Sequence, residues 1–296
     1  MPPKHVSLEQ AVADNVRDGD LLFVGGFGQC VPFAIAHEIV RQRRKNLTLC
    51  RSGADILFDL LVAAGAVSKV ISGYVGNPGI GLAHAFRRAV ESGEIVAEDW
   101  TNFAMVLRLH AGALGVPFLP TATLLPGDLA DRVGVRAVTC PYTGEVLAAV
   151  PALTPDVAIM HAHAADEEGN VQLFGLPGDT LEGVNASRKV VCTVEEIVAS
   201  DMIRSQPDRT VVPGFRVSSV SVVPFGAYPS YVDGLYDRDD EAYAAWDAIS
   251  RAPEKIADWI EREIFGAGDF AAYLARIDAA RLETLKRNAG RAAHAR

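Results

Sequence analysis

Apolar and polar positions fall into two kinds of block along the first third of the chain. Short apolar runs occur at Leu21-Leu22-Phe23-Val24, at Leu47-Thr48-Leu49-Cys50 and from Val67 to Gly73. A continuous apolar run suits a strand covered on both faces. Longer amphipathic stretches lie between and after them, and helices are expected from Ser7 through Val16, Phe33 to Arg44, Ala54 to Ala64, Leu82 to Ser92 and Thr101 to Leu114. Ser7-Leu8-Glu9-Gln10 opens the first of these in the manner of a capping box. Asp18-Gly19-Asp20 and Gly76-Asn77-Pro78-Gly79 carry strong turn residues. Strands alternating with helices in this way imply a parallel sheet with helices on its faces.

The middle of the chain changes rhythm. Arg136 to Cys140 and Glu145 to Val150 flank Pro141-Tyr142-Thr143-Gly144, the pattern of a hairpin. Asp156 to His161 and Val171 to Phe174 flank a second turn at Asp166-Glu167-Glu168-Gly169-Asn170. Lys189 to Thr193 reads as a strand that leads through Val194-Glu195-Glu196 into a helix. Val211 to Val223 holds two strand-like stretches broken by Pro213-Gly214. The tail is helical over Asp240 to Ser250, Pro253 to Ile264 and Phe270 to Asn288. No repeat and no Ser/Gly linker divides the chain. The expectation is one α/β domain over residues 1–296, parallel in its first half and mixed in its second, with a helical tail over 240–296.

Composition narrows the function classes. With 49% hydrophobic and 22% charged residues, the chain has ordinary globular usage, which excludes disordered, collagenous and coiled-coil classes. A net charge of −9 argues against a nucleic-acid partner. The densest basic run, Arg41-Gln42-Arg43-Arg44-Lys45, ends an expected helix, where cations face the negative end of the dipole. No apolar run reaches the roughly 18 residues of a membrane span, so no membrane partner is expected. Met1-Pro2-Pro3-Lys4-His5 enters a polar helix directly, without a signal-peptide core, and a cytoplasmic location is expected. Cys30, Cys50, Cys140 and Cys192 are too far apart for metal-binding spacing, so buried free thiols and no metal are expected.

Several positions could carry chemistry. Gly25-Gly26-Phe27-Gly28 ends a strand before a helix, where backbone N–H groups can hold an anion or a developing oxyanion. A plain tight turn explains the same residues. The dinucleotide fingerprint fails because Val31 stands at its third glycine. His161 and His163 share a face with Asp166 nearby, as metal ligands or as hydrogen-bonded packing groups. Cys30 lies near a helix start, which can activate a thiol, although a buried small residue fits equally. Asn77 and Asn102 lie beside expected helix starts, as caps or as ligand-binding amides. Glu195, in an apolar context, needs a partner and is either a buried ion-pair member or a catalytic acid. No nucleophile elbow occurs. These residues suggest a ligand site at a strand end without defining a reaction.

The glycine loop is also where the chain resembles a known family. Asp18-Gly19, Leu22-Phe23-Val24-Gly25-Gly26-Phe27, Phe86-Arg87-Arg88 and Leu114-Gly115-Val116-Pro117-Phe118-Leu119-Pro120 are similar to motifs of the α (A) subunit of family I coenzyme A-transferases. Further along, Cys192-Thr193-Val194-Glu195-Glu196-Ile197 and Pro224-Phe225-Gly226-Ala227-Tyr228-Pro229-Ser230 agree. The likeness covers nearly the whole chain and is strongest to the glutaconate type. It implies an open three-layer α/β/α sheet and a heteromer with a β subunit that carries the catalytic glutamate. It further implies no permanently bound cofactor, with coenzyme A thioester and a small carboxylic or dicarboxylic acid as substrates. Catalysis would be ping-pong, through a glutamyl-CoA thioester on the partner.

The resemblance makes Gly25, Gly26, Phe27, Gly28, Gln29, Asn77 and Asn102 the expected oxyanion and substrate-binding residues, with no nucleophile in this chain. Gly28-Gln29-Cys30-Val31-Pro32 departs from the family signature, being one residue short and lacking a glycine and basic residues there. Asn102 stands where the related ring-opening hydrolases are expected to carry a glutamate. An amide cannot act as a general base, which favours transferase over hydrolase. A decarboxylase subunit on the same scaffold is the other alternative. Arg51, Arg87 and Arg88 are the candidate cations for a second carboxylate.

Overall fold

The computed structural model describes residues 4–125 and 127–294. The expected start at Met1-Pro2-Pro3 lies outside them. Ser7 accepts a hydrogen bond from the Gln10 amide and opens α1 (Leu8–Asn15). The chain then alternates through β1 (Leu21–Val24), α2 (Phe33–Arg41), β2 (Leu47–Ala54), α3 (Ile56–Ala63) and β3 (Val67–Asn77). Next come β4 (Gly81–Leu82), α4 (His84–Glu91), β5 (Val96–Asp99), α5 (Asn102–Leu114), β6 (Phe118–Thr121), α6 (Leu129–Arg132), β7 (Arg136–Thr139) and β8 (Val146–Pro151). The second half runs through β9 (Val157–Ala165), β10 (Val171–Gln172), α7 (Thr180–Ala186), β11 (Lys189–Ile197), α8 (Ser200–Ser205), β12 (Thr210–Val212) and β13 (Val217–Val222). Helices α9 (Asp240–Ser250), α10 (Pro253–Ile260), α11 (Phe270–Leu274) and α12 (Ala279–His294) form the tail.

Ten strands make one sheet. β13, β11, β9, β1, β2, β3 and β5 lie side by side in that order, each parallel to its neighbour. All nine residues of β9 are buried, as a central strand between two helical layers requires. The antiparallel additions are short: β4 folds back on the end of β3, β10 on the end of β9, and β12 on β10. The parallel core thus takes strands from both halves of the chain, and only these additions make the sheet mixed. α1, α2 and α3 pack side by side on one face, while α5 and α7 pack together on the other. β6, β8 and β7 form a separate three-stranded antiparallel sheet, which contains the expected hairpin.

The tail forms a further layer over α2, α3 and α4. Trp246 donates from its indole to Asp59 at 2.9 Å, and the Tyr243 hydroxyl reaches Asp55 at 3.2 Å. The expected helix over Phe270 to Asn288 is broken into α11 and α12. Asp278 accepts from the Ala280 amide and starts the second piece. Arg276 donates to the carbonyls of Arg262 and Gly266, fixing the corner. The helix expected to run to Arg44 stops at Arg41, because Arg43 and Asn46 take positive φ, +54° and +58°. Its basic run serves as local bracing. Arg41 pairs with Glu38, and the Arg43 guanidinium lies 4.8 Å from the centre of the Phe265 ring. Among the described residues no helix is long and apolar enough to cross a membrane.

Candidate active site

The parallel strands deliver their C-terminal ends to one edge of the sheet, where open α/β sheets bind ligands. The turn after β1 is bent tightly. Gly25 donates its amide to the Ile159 carbonyl at 2.8 Å, and a Cβ there would lie 3.0 Å from the Met160 Cβ. Gly26 has φ +83°, and a Cβ there would sit 2.5 Å from the carbonyl oxygens of Gln29 and Cys30. Its amide donates to Thr180 Oγ1 at 3.0 Å. Two of the four amides of the turn are therefore already engaged. Phe27 and Gln29 face each other in a backbone bridge across the turn. Gly28 is exposed and its carbonyl is held by the Ser230 hydroxyl at 2.7 Å. The Phe27 side chain fills a slot that two glycines create: a Cβ on Gly53 would lie 3.3 Å from its ring, and one on Gly178 2.2 Å from its Cβ.

Gln29 supports this loop from behind. It is fully buried, and its Nε2 donates to the carbonyls of Phe174 and Leu176, both at 2.8 Å. Asn102 is exposed at the first turn of α5, capped by Thr101, on the same edge as the loop. β2 and β3 separate the two, roughly 10–15 Å at ~4.8 Å per strand. Gly73 makes room for Asn102, since a Cβ there would meet Asn102 Oδ1 at 2.3 Å. Asn77 is not at a helix start. It ends β3, is buried, and donates from Nδ2 to the Tyr243 carbonyl at 2.9 Å, tying the β3–β4 turn to α9. Gly76 likewise belongs to β3 and not to a loop, because β4 pairs with it.

Arg51 of β2 lies between the loop and Asn102 in strand order. It is 1% exposed, and its guanidinium sits 5.7 Å from the centre of the Phe27 ring. Its Nε and Nη1 have no hydrogen-bond partner among the described residues. Buried donors of this kind are normally satisfied, and these two are exceptions. Arg87, by contrast, is an exposed helix residue facing Glu91 at 3.6 Å, and Arg88 donates to the Ser250 carbonyl at 2.8 Å.

The other expected groups prove to be structural. His161 is fully buried; its Nδ1 meets Thr193 Oγ1 at 2.9 Å and its Nε2 meets Glu195 Oε1 at 2.8 Å. His163 Nε2 reaches the Asp233 carbonyl at 2.9 Å, and burial lowers this imidazole to about 4, which keeps it neutral. Asp166 accepts from the amide and side chain of Asn170 in the β9–β10 turn. Among the described residues no cluster of three His, Cys, Asp or Glu side chains is arranged to hold a metal ion. The Cys30 thiol is not activated. Burial, and then the charge of Glu195, push its pKa well up. Cys50 and Cys192 are buried free thiols, whereas Cys140, at the end of the small hairpin, is half-buried.

Glu195 lies inside β11, not at the start of a helix. It accepts from Phe225 N and from the Tyr236 hydroxyl, both at 2.8 Å, as well as facing His161. Burial alone would raise its pKa. The His161 hydrogen bond and charge, with the Phe225 and Tyr236 donors, outweigh burial and hold the carboxyl below the usual range. A depressed carboxyl stabilises the fold above its unfolded pKa, and the contribution is lost as pH falls through the folded value. Glu195→Gln is therefore expected to cost about 1–3 kcal/mol at neutral pH. The difference should shrink as pH drops below the ordinary glutamate range of ~4.3. Urea unfolding of both proteins from neutral to acidic pH checks this.

Two positions that brace β2 and the loop were missed by sequence reasoning. Asp179 accepts from the Ser52 amide at 2.7 Å, and Thr180 holds Gly26. Both open α7, and Gly178-Asp179-Thr180 before Leu181-Glu182 is a helix-start signal that could have revealed the helix. Nothing local places it beneath the glycine turn.

Comparison with known proteins agrees with this architecture. Residues 5–222 match the family model described as coenzyme A transferase. The A subunit of 3-oxoadipate CoA-transferase from Pseudomonas knackmussii is 39% identical over 276 residues, covering 92% of this chain and 97% of that one. The crystal structure of glutaconate coenzyme A-transferase from Acidaminococcus fermentans superposes with a TM-score of 0.91 at 31% identity, over 96% of this chain and 95% of that one. The crystal structure of a variant of the decarboxylase AibA/AibB superposes with a TM-score of 0.77 at 32% identity, over 87% of this chain and 98% of that one. The chain belongs to the coenzyme A transferase family. Within it, it is a family I chain of the α (A) type, with the three-layer α/β/α fold of that group.

Proposed function

We propose that this chain is the α subunit of a heteromeric CoA-transferase that moves CoA between an acyl-CoA and a small dicarboxylic acid. The reaction proceeds through a glutamyl-CoA thioester on a β subunit. The observation that carries this reading is the tight glycine turn at the strand-end edge, which leaves Gly28 exposed there. The thiol next to it is buried and protonated. The chain thus offers oxyanion donors without an activated nucleophile beside them.

In the first step a partner carboxylate oxygen attacks the acyl-CoA carbonyl carbon. The C–S bond breaks, leaving a mixed anhydride and CoA thiolate. The thiolate then attacks the glutamyl carbonyl carbon, expelling the first acid as a carboxylate and leaving the enzyme thioester. An incoming acid reverses both steps. Each addition puts negative charge on a carbonyl oxygen, and amides of the glycine turn would receive it.

Arg51 would meet the far carboxylate of the acid. The named relatives act on 3-oxoadipate and glutaconate, both dicarboxylates. A guanidinium–carboxylate bond contributes about 1.5–3 kcal/mol, or tenfold and more in binding. Arg51→Met, assayed in complex with the β subunit, is expected to raise KM for dicarboxylic acids about tenfold or more. Monocarboxylic acids of similar length should change little. An equal loss for both classes would reassign Arg51 to structure. Decarboxylation is the second reading, favoured by the likeness to AibA/AibB. A glutamate at the reacting position of the β subunit supports transfer, and a cysteine there supports decarboxylation.

A further inference from the structure

The small antiparallel sheet of β6, β8 and β7 has two unlike faces. Alternation along β8 puts Val146, Ala148 and Val150 on one and Leu147, Ala149 and Pro151 on the other. Ala148 and Val150 are fully buried, and β8 packs on α5. Arg108 of α5 donates to the Pro151 carbonyl at 3.3 Å, and its own carbonyl accepts from the Leu153 amide at 2.9 Å, which fastens the sheet to the domain. The register sets Phe118 opposite Pro151, Pro120 and Arg136 opposite Ala149, and Val138 opposite Leu147. Cross-strand partners share a face, so the second face is apolar apart from Arg136. An antiparallel sheet with one face in water carries polar residues there. Here Phe118, Pro120 and Pro151 are exposed, Val138, Leu147 and Ala149 are half-buried, and none of them belongs to the hydrophobic core.

Charge enters this face towards its two ends. Arg136 lies at the level of Ala149. At the other end the Cys140 amide donates to the Glu145 carbonyl at 2.8 Å, which continues the ladder one residue beyond β8 and puts Glu145 on the same face as Leu147. Both charged residues are exposed. Along the strands they are about 13 Å apart, too far to pair within one chain. A two-fold axis between two such sheets, crossing the strands at Leu147, brings the Ala149 level of one copy over the Glu145 level of the other. Arg136 of each copy then lies one strand spacing, about 4.8 Å, to the side of Glu145 of the other, within reach of an arginine side chain. The face is thus complementary to itself, apolar in the middle with opposite charges meeting towards both ends.

We propose that two copies of this chain meet at this face, sheet on sheet across a two-fold axis, with Arg136 of each paired to Glu145 of the other. α5 starts at the strand-end edge and runs 13 residues, about 20 Å, before β6 begins. A β subunit working at that edge leaves this face uncovered. The choice of a second copy over the β subunit rests in that respect on the function proposed above, whereas the matching of charges does not. The face measures about 14 Å by 20 Å, small for a specific interface, so the pairing is expected to depend on concentration.

Sedimentation velocity of the full chain over a range of concentrations, alone and with the β subunit, tests this. The wild-type chain is expected to pass from one copy to two as concentration rises. Leu147→Asp, which puts a charge on the axis, should keep it single throughout. Arg136→Glu and Glu145→Arg should each weaken association about tenfold or more by setting like charges together. An equimolar mixture of these two variants should recover it, because a mixed pair restores both contacts between opposite charges. Circular dichroism melting verifies that each variant folds, and the Leu147→Asp protein should still bind the β subunit. A wild-type chain that stays single, or a mixture that associates no better than its parents, would overturn the inference. So would a folded Leu147→Asp protein that loses the β subunit, which would assign the face to that partner. The readout is mass and not CoA exchange, so this inference and the proposed function fail separately.

Discussion

Replacing Gly26 with alanine is expected to reduce CoA exchange by about 100-fold or more. Two effects combine. An alanine at φ +83° carries left-handed strain of about 1–2 kcal/mol. Its Cβ would also lie 2.5 Å from two backbone carbonyl oxygens, which no side-chain rotation can relieve. The turn must open, and its amides move with it. Losing one aligned oxyanion donor costs about 3 kcal/mol of barrier, the basis of the 100-fold estimate. Stability should fall by about 2–4 kcal/mol, in the range of other strained or overpacked sites. Gly28→Ala is the control. It carries similar strain at φ +77°, but its Cβ would meet nothing closer than 3.9 Å. It should cost only about 1–2 kcal/mol of stability and leave most of the exchange rate. Initial rates of the reconstituted complex, with urea unfolding of each chain, check both.

The positions that could be foreseen are those whose constraint is local. Leu21 to Val24 forms β1 because a four-residue apolar run next to glycines has few other uses. Ser7 caps α1, and the Pro141–Gly144 turn joins β7 to β8, through chemistry contained in the segments themselves. The glycine loop was legible as a tight turn, but the engagement of its amides was not. Thr180 reaches Gly26 from 154 residues away, and Ile159 reaches Gly25 across the sheet. Asn77 was misplaced for the same reason. Its Pro-Gly neighbours signal a turn, whereas pairing with β4 and burial under Tyr243 depend on the assembled tail. β5 went unseen because two of its four residues are exposed and it lacks an apolar run. Glu195 shows a further limit. The need of a buried carboxylate for partners was clear from its context, but His161, Phe225 and Tyr236 come together only through the parallel pairing of β9 with β11 and the chain that follows.

The proposed mechanism makes this chain half of an active site, and that division predicts a large effect. Alone it should exchange CoA at no measurable rate, because its thiols beside the sheet are buried and protonated and Asn102 cannot ionise. Adding the β subunit should restore turnover, a gain limited only by assay sensitivity. Nucleophilic catalysis of acyl exchange leaves a covalent trace, so the location of the intermediate is more telling than the rate. The decisive measurement is intact-mass spectrometry of the two-subunit enzyme after brief exposure to an acyl-CoA without acceptor acid. The account predicts a CoA adduct on a glutamate of the β subunit, with the mass of this chain unchanged. A CoA or acyl adduct on this chain, or full exchange by this chain alone, would contradict it.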